Sequence, residues 1–350
     1  MQTVFEQLNE RRKTLLGLIV DDYIQTAAPV ASQHLLKHPE LKVSPATIRN
    51  DMAELEDLGL IARPHTSAGG VPQDLAYRFY VESVASHTKA PRIFQVLVQE
   101  ALHQDEADPE AWAREAAGVL SHEVRNVGIA TVPRAFQARI RHVQLVPVRD
   151  VQALLVLVMQ ERRVRQQRIN LPQPFTADGL IDLSSALNAA LADKTARDVR
   201  AMVEAHQADN GAPRLIMEEI VRLVALEEEQ EAERHYVEGL RDMLSQPEFT
   251  SGDRAREAVG LVEDTDVIKQ MTADVPDHGE VRVIIGNENR QEGLRHYSIV
   301  VGRYGVPGYA SGTIAAMGPT RMDYARAISS VRYLTSFLSG LLDALRDSPE

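Results

Sequence analysis

Cysteine is absent from the 350-residue sequence, which removes disulfides, thiolate metal sites and cysteine nucleophiles together and fits a reducing cytoplasm. Aromatic residues make up only 5%, so ring stacking is not a dominant theme. Positive charge is also short: a formal net charge of −12 argues against nonspecific coating of nucleic acid, because polyanion binding rests largely on lysine and arginine releasing counterions. That leaves room for a small local DNA site. Long apolar runs are missing, the longest being "ALLVLVM" at 153–159, far short of a membrane span. The opening "MQTVFEQLNE" lacks the apolar core of a signal peptide. No membrane is expected.

What is present is the profile of a folded protein, 44% apolar and 25% charged, long enough for two or three domains with their own cores. Apolar residues from Leu8 to Ile24 recur at three and four, which predicts a first amphipathic helix. "APVASQHLLKH" starts a second, with Pro29 suited to a first helical position. In "SPATIRNDMAELEDLG" Ser44 is a good N-cap, Pro45 fits the first turn, and Gly59 is the C-terminal stop. "LIARPHTSAGGVP" then reads as a short strand, a turn-rich loop and a return, before the helix "QDLAYRFYVESVAS". Beyond the polar, proline-broken "HTKAPRIF", a helix carries Trp112, Ala116, Val119 and Leu120 on one side. "NVGIATVP", "IRHVQLVPV", "QALLVLVM" and "RVRQQRINL" alternate as one antiparallel meander would. A helical, acidic stretch interrupts them before strands resume at "VRVIIGN", "YSIVVGRYG" and "YASGTIAAMG", and a last helix runs from about Asp323. A sheet domain carrying an insertion is the expectation.

Placed 100° apart around its axis, the third helix puts Ile48, Met52 and Leu55 toward a core. Opposite stand Ala46, Asn50, Ala53 and Asp57, flanked by Thr47 and Arg49. Such a face approaches DNA closely and still carries base-reading groups: asparagine for adenine, arginine for guanine or phosphate, methyl groups for thymine. Three short helices and a hairpin make a winged helix-turn-helix, whose commonest use is the major groove. The charge is a caution, since residues 1–80 hold eight lysines and arginines against ten acids. Helix N-termini, hydroxyls and backbone amides must then supply part of the phosphate grip, which favours a dimer on a two-fold site.

"HTSAGGVP", His65 to Pro72, gathers groups that could belong to a catalytic loop, a phosphate cradle or a turn. His65 and Ser67 lack an orienting acid, and no lysine or long helix follows the glycines as a P-loop needs. The hairpin reading is preferred, with Gly69 and Gly70 expected to supply positive φ. His34 and His38 are spaced to share a metal, but no third ligand is evident and a solvated helix face is the preferred reading. The glycine-rich "GRYGVPGYASG" is read as a hairpin rather than a ligand pocket. On the helix near Glu227, the apolar side with Ile216, Ile220, Val221 and Val224 is open between core and dimer seam. No metal, cofactor or catalytic set is expected.

"VSPATIRNDMAELEDLGLIARPHTSAGGVP", "AYRFYVE", "MLSQPEF", "IIGNEN", "YGVPG" and "MGPTRMDYARAISSVRYL", in this order, resemble the HrcA family of bacterial heat-inducible transcription repressors across nearly the whole chain. The resemblance implies an α+β protein. A winged helix-turn-helix would occupy 1–86, a linker helix 87–106, a GAF-like antiparallel sheet domain 107–174 and 279–350, and an inserted, mainly helical dimerising domain 175–278. It implies a cytoplasmic, non-enzymatic homodimer that binds double-stranded operator DNA at the CIRCE inverted repeat of chaperone operons and is made competent by the GroEL chaperonin. Carried over by position, the DNA-facing residues are Ser44, Ala46, Thr47, Arg49 and Asn50 on the helix and His65, Thr66 and Ser67 on the wing. The chain departs from the family at Gly70, where arginine is usual, at Gln73 and Ala76, and in "TAAPVAS". Gly70→Arg is therefore expected to tighten DNA binding and steepen its salt dependence. The alternative is a winged-helix regulator that senses a small metabolite through its GAF-like domain. A third class, an enzyme using the glycine-rich C-terminal loops, finds no assembled nucleophile, base or metal set.

Overall fold

The computed structural model describes residues 2–41, 43–63, 69–83, 88–102, 108–135, 139–160, 164–205, 211–231, 234–273, 275–307 and 309–347. The chain forms two compact units, one of Met1–Pro133, His235–Pro307 and Ser311–Glu350, the other of Arg134–Arg234 with Gly308–Ala310. The first is thus interrupted in sequence by the second.

The first unit begins with α1 (Gln2–Glu6), α2 (Glu10–Thr26), α3 (Ser32–Leu35), α4 (Pro45–Asp57), the strands β1 (Ile61–Ala62) and β2 (Val71–Pro72), and α5 (Asp74–Ser83). The punctuation is local. Asn9 caps α2 by accepting from the Arg12 amide, Ser44 caps α4 by accepting from the Thr47 amide, and Gly59 leaves α4 with φ +69°, where only glycine is unstrained. The second helix is shorter than its sequence predicts: Ala31 is its N-cap. Pro29 stays outside it, because Val30 exchanges backbone hydrogen bonds with Gly70 instead. Leu15, Leu16, Ile19, Leu35, Ile48 and Leu55 close the core of this head.

After α6 (Arg92–Ala101) and α7 (Pro109–Val124) comes β3 (Val127–Thr131), and the short β4 (Arg134–Ala135) opens the second unit. That unit continues with β5 (Ile140–Arg149), β6 (Gln152–Met159), β7 (Val164–Asn170), α8 (Ala177–Leu191), α9 (Ala196–Ala205) and α10 (Ala212–Glu231). The remainder of the first unit is β8 (His235–Glu238), α11 (Leu240–Leu244), α12 (Gly252–Glu263), α13 (Thr265–Ala273), β9 (Val281–Ile285), β10 (Tyr297–Val306), β11 (Ala310–Pro319) and α14 (Tyr324–Asp347).

The main sheet runs in the order β8-β3-β11-β10-β9. Its inner strands β3, β11 and β10 are buried on both faces, and their alternation sorts the side chains. Ala130, Val300, Ile314 and Ala316 pack in one core with α7 and α14. Ile129, Ile299, Val301, Ala315 and Met317 pack in another with α11, α12 and α13.

This division corrects two expectations. The strands after β3 do not continue its sheet: β5, β6 and β7 form an antiparallel sheet of their own. Its inner residues Val143, Leu145, Leu155 and Leu157 are buried against Leu180 and Leu187 of α8 and Ile216 and Ile220 of α10. The interruption accordingly spans 134–234 rather than 175–278, and the apolar side of α10 is core. The helices at 240–273 belong to the first unit because Met243, Ala258, Ile268 and Met271 cover the second face of the main sheet.

Candidate nucleic-acid interface

Helix α4 carries the residues expected to meet DNA. Ile48, Met52 and Leu55 are buried, which turns Ala46, Arg49, Asn50 and Asp57 outward; all four are exposed. Arg49 forms no ion pair among the described residues. Ser44 and Thr47 are engaged at the helix start, where the Ser44 hydroxyl accepts from the Thr47 amide at 3.2 Å and lies 2.9 Å from the Thr47 hydroxyl. These two therefore frame the N-terminus, where amides and the helix dipole favour phosphate, while Ala46, Arg49 and Asn50 form the outward face. His65, Thr66 and Ser67 lie outside the described residues.

The remaining buried position of α4 is an acid. Asp51 is only 2% exposed. It accepts from Arg11 Nε at 2.7 Å, Arg11 Nη2 at 2.9 Å and Arg12 Nε at 3.1 Å. Burial pushes the Asp51 carboxyl up, yet the hydrogen bonds and charges of the two guanidinium groups outweigh it and hold the group below the usual carboxylate range. Sequence periodicity alone could have raised the question, since Asp51 falls between Ile48 and Leu55 on the inward face.

This ion pair bears on how the head can hold phosphate. Arg11 and Arg12 are committed to Asp51, and Arg12 also to Glu54. Lys13 meets Glu10, Arg63 meets Glu56 and Arg78 meets Glu288. Four of the head's eight lysines and arginines thus serve its own acids and Arg78 serves an acid of the body, so a grip on phosphate falls to Arg49 and Lys37, both exposed, with helix N-termini and backbone amides.

The glycine pair has a different role from the expected one. Neither Gly69 nor Gly70 has positive φ. A Cβ on Gly69 would lie 2.5 Å from the backbone of Pro29 and Val30, and one on Gly70 would lie 3.0 Å from Ile61 Cδ1 and 3.2 Å from Met52 Cε. The pair lets the returning strand close onto the α2–α3 connection. An arginine at 70 leaves the backbone toward Ile61 and Met52, so the gain in DNA affinity expected for Gly70→Arg gives way to an expected loss of stability. Gly69→Ala should destabilise by about 1–3 kcal/mol, and Gly70→Ala by less, because flexible side-chain ends can yield where backbone cannot. Urea unfolding of the two variants checks the order; equal midpoints would contradict it.

Separated motifs converge where the head meets the main sheet. Arg321 of "MGPTRMDY" donates to Glu248 of "MLSQPEF" at 2.5 and 3.2 Å, to Gln246 at 3.3 Å, and to the Ile24 carbonyl at the end of α2. Asn287 of "IIGNEN" donates to Asp74 of α5 from its amide at 2.9 Å and from its side chain at 2.8 Å. Tyr77 and Tyr324 lie with ring centroids 5.6 Å apart. Burial pushes both phenols well above the usual tyrosine range, so they stay neutral.

Three short helices, an exposed N-terminal face on the third and a two-stranded return define a winged helix-turn-helix head on an α+β body. Residues 30–72 match the DeoR-like helix-turn-helix domain, and residues 110–328 match the HrcA protein C terminal domain. The heat-inducible transcription repressor HrcA of Chloroflexus aggregans is 36% identical over 97% of this chain and 94% of that one. That of Herpetosiphon aurantiacus is 36% identical over 97% and 96%. A crystal structure described as that of a hypothetical protein superposes with a TM-score of 0.63 at 26% identity, covering 97% of this chain and 99% of that chain. The chain belongs to the HrcA family.

Proposed function

We propose that this protein is a DNA-binding transcriptional repressor of heat-inducible chaperone operons, acting without catalysis in the bacterial cytoplasm. The observation that carries the reading is the outward face of α4: Ala46, Arg49 and Asn50 exposed beside a capped N-terminus, with the opposite side locked into the head. The names of the relatives, heat-inducible transcription repressors over nearly the full chain, support the same function.

The operator is the CIRCE inverted repeat, read by a homodimer, and the GroEL chaperonin makes the dimer competent. Scarce free cations on each head support two-fold binding, because two modest grips combine on one duplex. The sheet of the second unit supports self-association. Its outer face presents Val146 and Val164 exposed, and Leu154, Val156 and Val158 half-buried, an apolar strip that a second copy would cover. On this reading Ser44 and Thr47 orient phosphate at the start of α4, Arg49 and Asn50 read base edges, and His65, Thr66 and Ser67 contact the backbone from the wing.

Arg49→Ala and Asn50→Ala should each weaken operator binding by about 1–3 kcal/mol with unchanged unfolding midpoints, since both side chains are exposed. Titration of a fluorescent operator duplex measures the change. Wild-type affinity in a folded variant would remove that residue from the interface.

A further inference from the structure

The structure supplies the third donor that the His34 and His38 spacing lacked. Asp22, on α2, reaches across the α2–α3 corner, and its Oδ2 lies 3.5 Å from Nε2 of His34 and 3.5 Å from Nε2 of His38. One ligand atom from each of the three residues falls within 4.8 Å of the others. Asp22 Oδ2 is buried and takes no hydrogen bond from the described residues, the costly condition for a carboxylate oxygen. The side chain of Asp22 is 13% exposed, while those of His34 and His38 are 52% and 30% exposed. A solute therefore reaches the imidazoles from outside and meets the acid behind them.

Two features of this cluster separate a cation site from an ordinary ion pair. The separations exceed the usual N–H···O range of about 2.7–3.2 Å. They match the roughly 3.4 Å between two donors of a tetrahedral zinc ion bound at about 2.0–2.1 Å. The donor set also fits: two imidazoles select zinc and its neighbours over magnesium or calcium, which prefer all-oxygen shells. Asp22 brings the carboxylate charge, and solvent would complete the coordination on the exposed side.

We propose that Asp22, His34 and His38 bind one zinc ion and staple α2 to α3, the two helices against which the recognition helix α4 is set. Bound there, the ion neutralises the buried oxygen and fixes the corner of the head without touching the DNA-facing side chains.

The test uses the full-length, tag-free chain, stripped with chelator and titrated with cobalt(II) as a spectroscopic stand-in, then with zinc. The expected result is one cobalt per chain with the visible absorption of a four-coordinate site, displaced by zinc, and a higher unfolding temperature with zinc. His34→Ala/His38→Ala should lose this uptake and the thermal shift, and Asp22→Asn should weaken zinc binding at least roughly tenfold. Both are compared by far-ultraviolet circular dichroism to confirm folding. If the double variant does not fold, the single variant His34→Ala, altered only at the most exposed donor, decides the question by the same readouts. Stoichiometric uptake that persists in the variants, no uptake by the wild type, or an equal thermal shift from magnesium would each overturn the proposal.

Discussion

Asp51→Ala should cost the head about 2–3 kcal/mol of stability, the loss of a buried acid's ion pairs reduced by the partial exposure of the guanidinium groups left behind. Asp51 stands on the recognition helix and Arg11 and Arg12 on α2, so this contact fixes α4 against the helix that supports it. DNA affinity should fall with stability even though Asp51 faces away from the groove. Arg11→Ala should be milder, because Arg12 keeps one hydrogen bond. The pH dependence follows from the sign of the shift. The folded carboxyl titrates below its unfolded value of about 3.9, so its stabilisation is fully present above that value and is lost as pH falls through the folded one. Urea unfolding between neutral and acid pH checks both points. Asp51→Asn should lack this acid-dependent component, and an identical pH profile in the variant would refute the assignment.

Arg321→Ala should have a comparable effect by a different route. The side chains of Arg321 and Glu248 are 13% and 22% exposed, and Arg321 also holds the Ile24 carbonyl at the end of α2. Removal strands Glu248 and frees the last turn of α2, at a cost of about 2–3 kcal/mol after allowance for the solvent that still reaches the acid. The head should detach from the main sheet before global unfolding, giving earlier proteolysis near residues 24–31. Arg321→Lys keeps the charge but not the planar fork that reaches three partners, and should recover only part of the loss. Wild-type proteolysis rates for Arg321→Ala would show that this network does not hold the head.

The recognition helix is largely legible in the sequence because its signals are local. Ser44, Pro45 and Gly59 mark its ends, and the spacing of Ile48, Met52 and Leu55 orients it, which by itself places Arg49 and Asn50 outward. What is not legible depends on distant partners. Periodicity turns Asp51 inward, but nothing local shows what pairs it until Arg11 and Arg12 arrive from about forty residues away. Gly69 resembles a turn glycine until Pro29 presses against it. Strand alternation shows that β5, β6 and β7 are strands but cannot say which sheet they join, since period-two patterning fixes a face and not a neighbour. Their packing on α8 and α10 decides it. Asp22 gives no sign at all, because only the α2–α3 corner brings it beneath His34 and His38.

The family motifs illustrate the same division. "MLSQPEF", "IIGNEN" and "MGPTRMDY" contain few groups suited to chemistry, and the structure assigns Glu248, Asn287 and Arg321 to docking of the head. Their contacts reach α2 and α5 of the head.

Whether α4 reads a two-fold operator is measured most directly by titrating the wild-type protein against a CIRCE inverted-repeat duplex and a scrambled duplex of the same composition, over a salt series and with or without GroEL. The inverted repeat should bind tighter by at least about a thousandfold. The salt slope should be shallow, reflecting few phosphate contacts, and the chaperonin should strengthen binding. Equal affinity for the two duplexes at every salt concentration would contradict a base-reading role for α4.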